Sequence, residues 1–199
     1  MLLRVHRILD RTCVVGPGVR FSIWVQGCHH CCQGCSAIAT WSAKKGYFMD
    51  ASFLVEKIMS TPDIEGVTFI GGEPFEQAEV LSRIAKEARK SNLSVVTFTG
   101  YTYSDLVRGG QKDHITLLEY TDLLIDGPFI EEKKSSDRPW VGSENQNYIF
   151  LTGRYTLKDI LPHFPKHEFH IKPNGQVISN GLVVSVESLG QLFGGHRKL

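Results

Sequence analysis

The chain has 199 residues, 42% of them apolar, and a formal net charge of +1. That size and apolar share fit one domain over residues 1–199 with a real core, and the near-neutral charge gives no ground for nucleic acid or an anionic membrane as partner. No apolar run reaches the ~18 residues a spanning helix needs, and Arg4, His6 and Arg7 break the apolar N-terminus, so it reads as no secretory signal and a cytoplasmic setting is expected.

Along the chain, short apolar runs end in glycine. Phe21 to Val25 leads into Gly27, Val67 to Ile70 into Gly71-Gly72, Val95 to Phe98 into Gly100, and Leu123 to Ile125 into Asp126-Gly127. Each is rich in β-branched or aromatic residues and bounded by a turn, which predicts buried strands. Helical patterns lie between them. Ala51 to Ser60 follows Asp50, a plausible N-cap. Glu76 to Ser91 carries Val80, Leu81, Ile84 and Ala88 on one face, with Arg83, Lys86, Glu87 and Lys90 turned away. Tyr103 to Arg108 is shorter and stops at Gly109-Gly110. Strand–helix alternation predicts an α/β fold with a largely parallel sheet. The chain is short for a complete eight-unit barrel of about 250 residues, so a partial, open (β/α) barrel is expected. Near the end, Phe169 to Lys172 and Gln176 to Ser179 flank Pro173-Asn174-Gly175, which predicts a C-terminal β-hairpin.

Four of the five cysteines, Cys28, Cys31, Cys32 and Cys35, fall within eight residues. Such crowding in a reducing compartment suggests metal binding rather than disulfides. Cys13 stands apart and reads as a small buried hydrophobe. Taken as C-x3-C-x2-C, the loop offers Cys28, Cys32 and Cys35 to three corners of a [4Fe–4S] cluster. The fourth iron is then open to a small molecule, whereas closure by four cysteines would suit electron transfer. In this reading Cys31 is a bystander. Taken as adjacent C-x2-C pairs, or with His29 or His30, the loop suggests zinc. Adjacent pairs fit zinc poorly, because zinc sites usually draw on separated segments.

Ligands of α/β folds gather at the carboxyl ends of strands, and Cys28, Gly71 and Gly100 all follow strand-like runs. Gly71-Gly72-Glu73-Pro74 would let a ligand approach the backbone, with Glu73 accepting from an ammonium group or orienting the loop. Glu73 equally suits the start of a helix. Thr97-Phe98-Thr99-Gly100-Tyr101-Thr102 offers hydroxyls for a ribose or carboxylate, or simply a helix cap. Gly16-Pro17-Gly18-Val19-Arg20 is a rigid turn; beside a cluster it would cover the site, with Arg20 supplying positive charge. Trp24, Trp41 and Trp140 read as packing residues. His163, His167 and His170 are scattered and suit surface or core positions.

Taken in order, GPGVR, WVQGCHHCCQGC, IGGEP, FTGYTY, LLIDGPF and GSENQNYI resemble the radical S-adenosylmethionine superfamily. The likeness is to its branch of activating proteins for glycyl radical enzymes, particularly of anaerobic ribonucleotide reductase. It runs from about Gly16 to Ile149. It implies a partial barrel with a [4Fe–4S] cluster in the loop after the first strand of the motif, ligated by Cys28, Cys32 and Cys35. It also implies S-adenosyl-L-methionine as cofactor, with Gly71, Gly72, Glu73 and Pro74 facing its amino group. Gly34 and Ser36 would then lie near the nucleoside, and Thr99 would make a polar contact. No side chain is expected as general acid or base. The implied partners are a glycyl radical enzyme and a low-potential electron donor such as flavodoxin or ferredoxin. Ser36 and Ala37 stand where related activators place an aromatic residue and Asn, so any shelf for adenine must come from elsewhere. Other functions compatible with the motifs are a radical enzyme acting on a small molecule or peptide, and a non-enzymatic zinc or electron-transfer protein.

Overall fold

The structure, a computed structural model, describes residues 1–160 and 167–181. In chain order the elements that build the site are β1 (Leu2–Thr12), β2 (Arg20–Val25), β3 (Tyr47–Asp50), α1 (Ala51–Ser60), β4 (Gly66–Gly71), α2 (Ala78–Lys90), β5 (Ser94–Phe98), α3 (Tyr103–Gly109), α4 (Lys112–Tyr120), β6 (Leu123–Asp126), β7 (Asn147–Phe150), β8 (His167–Ile171) and β9 (Val177–Gly181). Seven strands form one sheet in the order β3-β1-β2-β4-β5-β6-β7, and β8 and β9 form a separate pair. The four strands β2, β4, β5 and β6 run parallel. β1 is antiparallel to β2 and β3, and β7 is antiparallel to β6. The sheet is open, so the expected partial barrel with a C-terminal hairpin is what the chain forms.

The strand pleat divides the core. Phe21, Ile23 and Val25 of β2 pack with Val67, Phe69 and Val95 against Leu54 and Ile58 of α1, Leu81, Ile84 and Ala88 of α2, and Leu117 of α4. The alternate residues face the other way. Trp24 there joins Leu9, Val14 and Val15, while Val96, Leu123 and Ile125 join Val141 and Tyr155. Both faces of the parallel strands are therefore covered, which explains why they read as continuous apolar runs.

Local chemistry sets the ends. Asp50 caps α1 by accepting from the Ser52 amide at 2.8 Å. α2 begins two residues later than expected, because Pro74–Gln77 forms a 3-10 turn first. Pro74 fits the first position of such a turn, where its missing N–H costs nothing. Gly110 ends α3 in the left-handed region at φ 60°, a conformation glycine adopts without penalty. Among the described residues no helix is long and apolar enough to cross a membrane.

The GPGVR segment forms the expected turn, but Arg20 does not sit beside the cysteine loop. Arg20 opens β2, at the end of the strand opposite Cys28, and it is completely buried. It donates to Thr68 Oγ1 (2.7 Å), to the carbonyls of Pro17 (2.9 Å), Val67 (2.8 Å) and Ser94 (3.1 Å), to Ser94 Oγ (3.1 Å) and to Tyr155 OH (3.2 Å). Arg20 pins the far end of the sheet rather than charging the cysteine loop. The physical reason is strand direction, since Arg20 is the first of the six extended residues of β2 and the mouth lies past the last of them.

The C-terminal hairpin is latched to the end of β1. Glu168 accepts from Thr12 Oγ1, the Cys13 amide (3.1 Å), Cys13 Sγ (3.4 Å) and Asn180 Nδ2 (3.0 Å), and it lies 3.0 Å from His170 Nε2. Asn180 also accepts from Arg7 (2.8 Å), whose guanidinium stacks 4.1 Å over the Trp24 ring. Cys13 is thus only half-buried, and its thiol serves the latch as well as packing. His167 bonds Ser179 Oγ at 2.6 Å, and His163 lies outside the described residues.

Burial pushes the Glu168 carboxyl up, but its contacts with His170, Thr12, Asn180 and Cys13 outweigh burial and hold it at about 2, against an ordinary 4.5. A carboxylate held below its unfolded value stabilises the fold fully above that value and ceases to do so as pH falls through the lowered one. Glu168→Gln is therefore expected to lower stability near neutral pH and to flatten its fall between about pH 4.5 and about pH 2. Urea unfolding of both proteins across that range measures the difference.

Candidate functional site

The cysteine loop springs from the carboxyl end of β2 and is closed at its base. Gly27 N donates to Thr40 O (2.7 Å) and Cys28 N to Trp41 O (3.0 Å). Gln26, almost fully buried, donates through Nε2 to Ala39 O (3.0 Å) and Ser42 O (2.9 Å) and meets His6 Nδ1 at 2.9 Å. Inside the loop, Cys35 N donates to Cys32 O at 3.1 Å and Ala37 N to Cys35 Sγ at 3.4 Å. Gly34 supplies the positive φ (76°) that the tight return needs. Cys31 is the one loop cysteine in the left-handed region, at φ 45°; it is exposed, and its thiol turns back to Cys28 O at 3.5 Å. Cys28, Cys32 and Cys35 are half-buried.

The glycine-rich turn after β4 is fastened directly to this loop. Gly72 N donates to Val25 O (2.8 Å) and Glu73 N to Gly27 O (2.7 Å). A Cβ at Gly71 would meet Trp24 Cα at 2.8 Å, and one at Gly72 would collide with Gly27 O. What the paired glycines let approach is β2 itself. Glu73 is buried, and four neighbours engage its carboxylate. Oε1 accepts from Phe75 N (3.0 Å) and Thr99 Oγ1 (2.8 Å), while Oε2 accepts from Gly100 N (2.8 Å) and lies 3.2 Å from His30 Nε2. Of the roles considered for Glu73, it performs two: it orients the loop, and it caps the 3-10 turn by accepting from Phe75 N. Thr99 is buried too and accepts from Tyr101 N at 3.1 Å. Pro74 is buried at the start of the 3-10 turn. Gly34 and Ser36 lie exposed on the outer rim, where Gly34 approaches the Phe129 ring and the Glu131 carboxylate.

The segment after β6 forms the third wall. Gly127 N donates to Tyr101 O (2.8 Å), and the Phe129 amide points at the Cys32 thiol. The GSENQN stretch holds this segment. Gln146 donates to Gly127 O (3.1 Å) and accepts from Gly142 N (2.7 Å), and Asn145 donates to Pro128 O (2.8 Å). The ends of β2, β4, β5 and β6 thus meet at one mouth.

Burial pushes the Cys28 thiol up to about 11, with Glu73 and Glu76 adding to the effect and the amides of His30 and Cys31 opposing it. Burial also raises Cys32, against the pull of the Phe129 amide. Ligation by either sulfur therefore releases a proton. Among the described residues no three His, Cys, Asp or Glu side chains converge to hold one ion. A cubane spreads its irons, one thiolate to each, so it asks for three sulfurs around a volume rather than a point. Soft thiolates from one tight loop suit iron–sulfur ligation, and Cys28, Cys32 and Cys35 fit that group.

Comparison with known proteins agrees. A family described as a 4Fe-4S single cluster domain matches residues 14–149. The anaerobic ribonucleoside-triphosphate reductase-activating protein of Enterobacteria phage T4 is 32% identical over 150 residues, covering 72% of this chain and 92% of that protein. The chain belongs to this family of activating proteins. The Vibrio cholerae activating protein is 30% identical over 165 residues, covering 78% of this chain and 100% of its own length. That of Haemophilus influenzae is 32% identical over 141 residues, covering 66% and 87%. As an activating-protein relative, the chain falls within the radical S-adenosylmethionine superfamily.

Sequence reasoning did not assign a place at the mouth to His30, Glu76, Tyr101 or Phe129. His29 binds Glu76 through both its ring and its amide (3.1 Å), and the Tyr101 ring stands edge-on to His30 at 4.7 Å. The signals were indirect: two histidines sit between ligand-type cysteines, where zinc competed for them, and Tyr101 and Phe129 lie in the FTGYTY and LLIDGPF motifs.

Proposed function

We propose that the chain holds a [4Fe–4S] cluster on Cys28, Cys32 and Cys35, and with it cleaves S-adenosylmethionine to form a glycyl radical on a partner anaerobic ribonucleotide reductase. The observation that carries this reading is the bond from Glu73 N to Gly27 O, 2.7 Å, which joins the cysteine loop to the glycine-rich turn at the mouth of the parallel strands. Held by Cys28, Cys32 and Cys35, such a cluster would provide the one-electron chemistry that splits the sulfonium into methionine and a 5′-deoxyadenosyl radical able to take hydrogen from a glycine Cα.

The chain's own residues bind, orient and shield. Cys28, Cys32 and Cys35 give up their protons and ligate. With Glu73 engaged by four neighbours, the peptide groups of Gly71 and Gly72, rather than the carboxylate, meet the methionine end of the cofactor. Pro74 and Thr99 hold that turn in place, and Gly34 and Ser36 form the rim toward the nucleoside. A flavodoxin or ferredoxin supplies the electron. No general acid or base is required.

Anaerobic reconstitution with iron, sulfide, reductant and S-adenosylmethionine tests the reading. The expected product is 5′-deoxyadenosine, and addition of a co-occurring ribonucleotide reductase should yield a glycine-centred paramagnetic signal. One zinc, no sulfide and no cleavage would overturn it. Cleavage without the glycine signal would point instead to a small-molecule or peptide substrate.

A further inference from the structure

We propose that His30 is a positioning residue that clamps the cysteine loop onto Glu73 and so holds the three thiols ready for the cluster; this rests on the cluster reading above. Most of the loop around it is open to solvent, with Cys31, Gln33, Gly34 and Ser36 all exposed. The His30 side chain is only 17% exposed, because it turns inward to within 3.2 Å of Glu73 Oε2. Glu73 is a fixed anchor, since Thr99 Oγ1, Gly100 N and Phe75 N already hold it at 2.8, 2.8 and 3.0 Å.

The socket around His30 is shaped to its ring. The Tyr101 ring meets it edge-on at 4.7 Å and 76°. Beneath it lies Gly100, where an added Cβ would stand 2.5 Å from His30 Cδ2 and 2.8 Å from Nε2. All three nearest atoms to that Cβ belong to His30. Gly100 therefore leaves room for this one side chain.

The clamp matters because little else fixes the loop's middle. Between the Cys28 amide, bound to Trp41 O, and the Cys35 amide, bound to Cys32 O, the inward ties from the loop's side chains are His30 to Glu73 and His29 to Glu76. Each freed residue regains conformational entropy that cluster assembly must then remove. Outer-shell partners of metal ligands typically carry a 10- to 100-fold effect on retention.

The test measures iron release to an excess of chelator from the reconstituted protein, followed by the loss of the cluster's visible absorption. His30→Ala is expected to release iron about 10- to 100-fold faster, and His30→Gln, whose longer amide places an N–H donor on the side of Glu73 Oε2, to recover most of the difference. Gly100→Ala, which displaces the ring without touching a ligand, should also speed release, yet add nothing in the His30→Ala background. Release at the native rate from His30→Ala, or an additive effect of Gly100→Ala, would overturn the clamp. Should His30→Ala not fold, native-rate release from Gly100→Ala alone overturns it. The cluster reading itself is judged separately, by sulfide content and 5′-deoxyadenosine from the unaltered protein.

Discussion

Cys32→Ala protein is expected to emerge from anaerobic reconstitution without a [4Fe–4S] cluster and to form 5′-deoxyadenosine only at background, whereas Cys31→Ala keeps both. The two residues are neighbours, and backbone conformation separates their roles. Cys31 sits at φ 45°, exposed, with its thiol folded onto Cys28 O. Cys32 is half-buried, and the Phe129 amide of the wall built after β6 favours its thiolate against the effect of burial. Alanine at position 32 removes one corner of the thiolate set, and a cubane on two protein ligands has no stable anchorage. Alanine at position 31 inherits the same unfavourable φ and loses only a weak contact, so folding and loading change little. Iron and sulfide analysis with chromatographic assay of 5′-deoxyadenosine decides the matter. Loss of iron from Cys31→Ala would mean that the ligand set is misassigned.

The second large effect lies at the other end of the same strand. Arg20→Ala is expected to destabilise the protein by about 3–5 kcal/mol, the range found when one partner of a buried charged network is removed. The guanidinium is fully buried, and three carbonyls and three hydroxyls around it lose a donor together. An unsatisfied buried group costs about 1–3 kcal/mol, and partial relaxation keeps the total below the simple sum. Burial pulls the Arg20 pKa down, while Tyr155, Glu65 and Asp122 support the cation. Arg20→Lys should recover little, because a point charge with three donors cannot replace a planar fork. Urea unfolding monitored by far-ultraviolet dichroism measures the loss. Iron bound per folded chain should not change, since Arg20 stands at the end of β2 remote from Cys28.

The parallel strands and α1 were legible because their signals are local. Ala51–Ser60 and its Asp50 cap were read to the residue, and the gathering of Cys28, Gly71 and Gly100 followed from strand direction alone. β1 was not read, because register shifts between Val5 and Arg7 and between Leu9 and Thr12 interrupt its period of two. β3 and β7 are four residues each, too short to show a period, and α4 spans only nine residues, with the adjacent β-branched pair Ile115 and Thr116 at its middle. At the site, the cysteines and Gly71–Pro74 announced themselves by spacing. His30 did not, because its partner Glu73 lies in another motif and only the packing of β2 beside β4 brings them together. Arg20 was misread for the converse reason. A lone arginine after a turn gives no sign in sequence that five oxygens from distant segments will surround it.

The latch between Glu168 and the end of β1 joins groups 155 and 156 positions apart. On a ribosome adding about 5–20 residues per second, those groups wait roughly eight to thirty seconds for each other. The flank of β1 and Trp24 consequently stays uncovered until β8 and β9 have been made, a window in which a chaperone or a stray edge strand can occupy it.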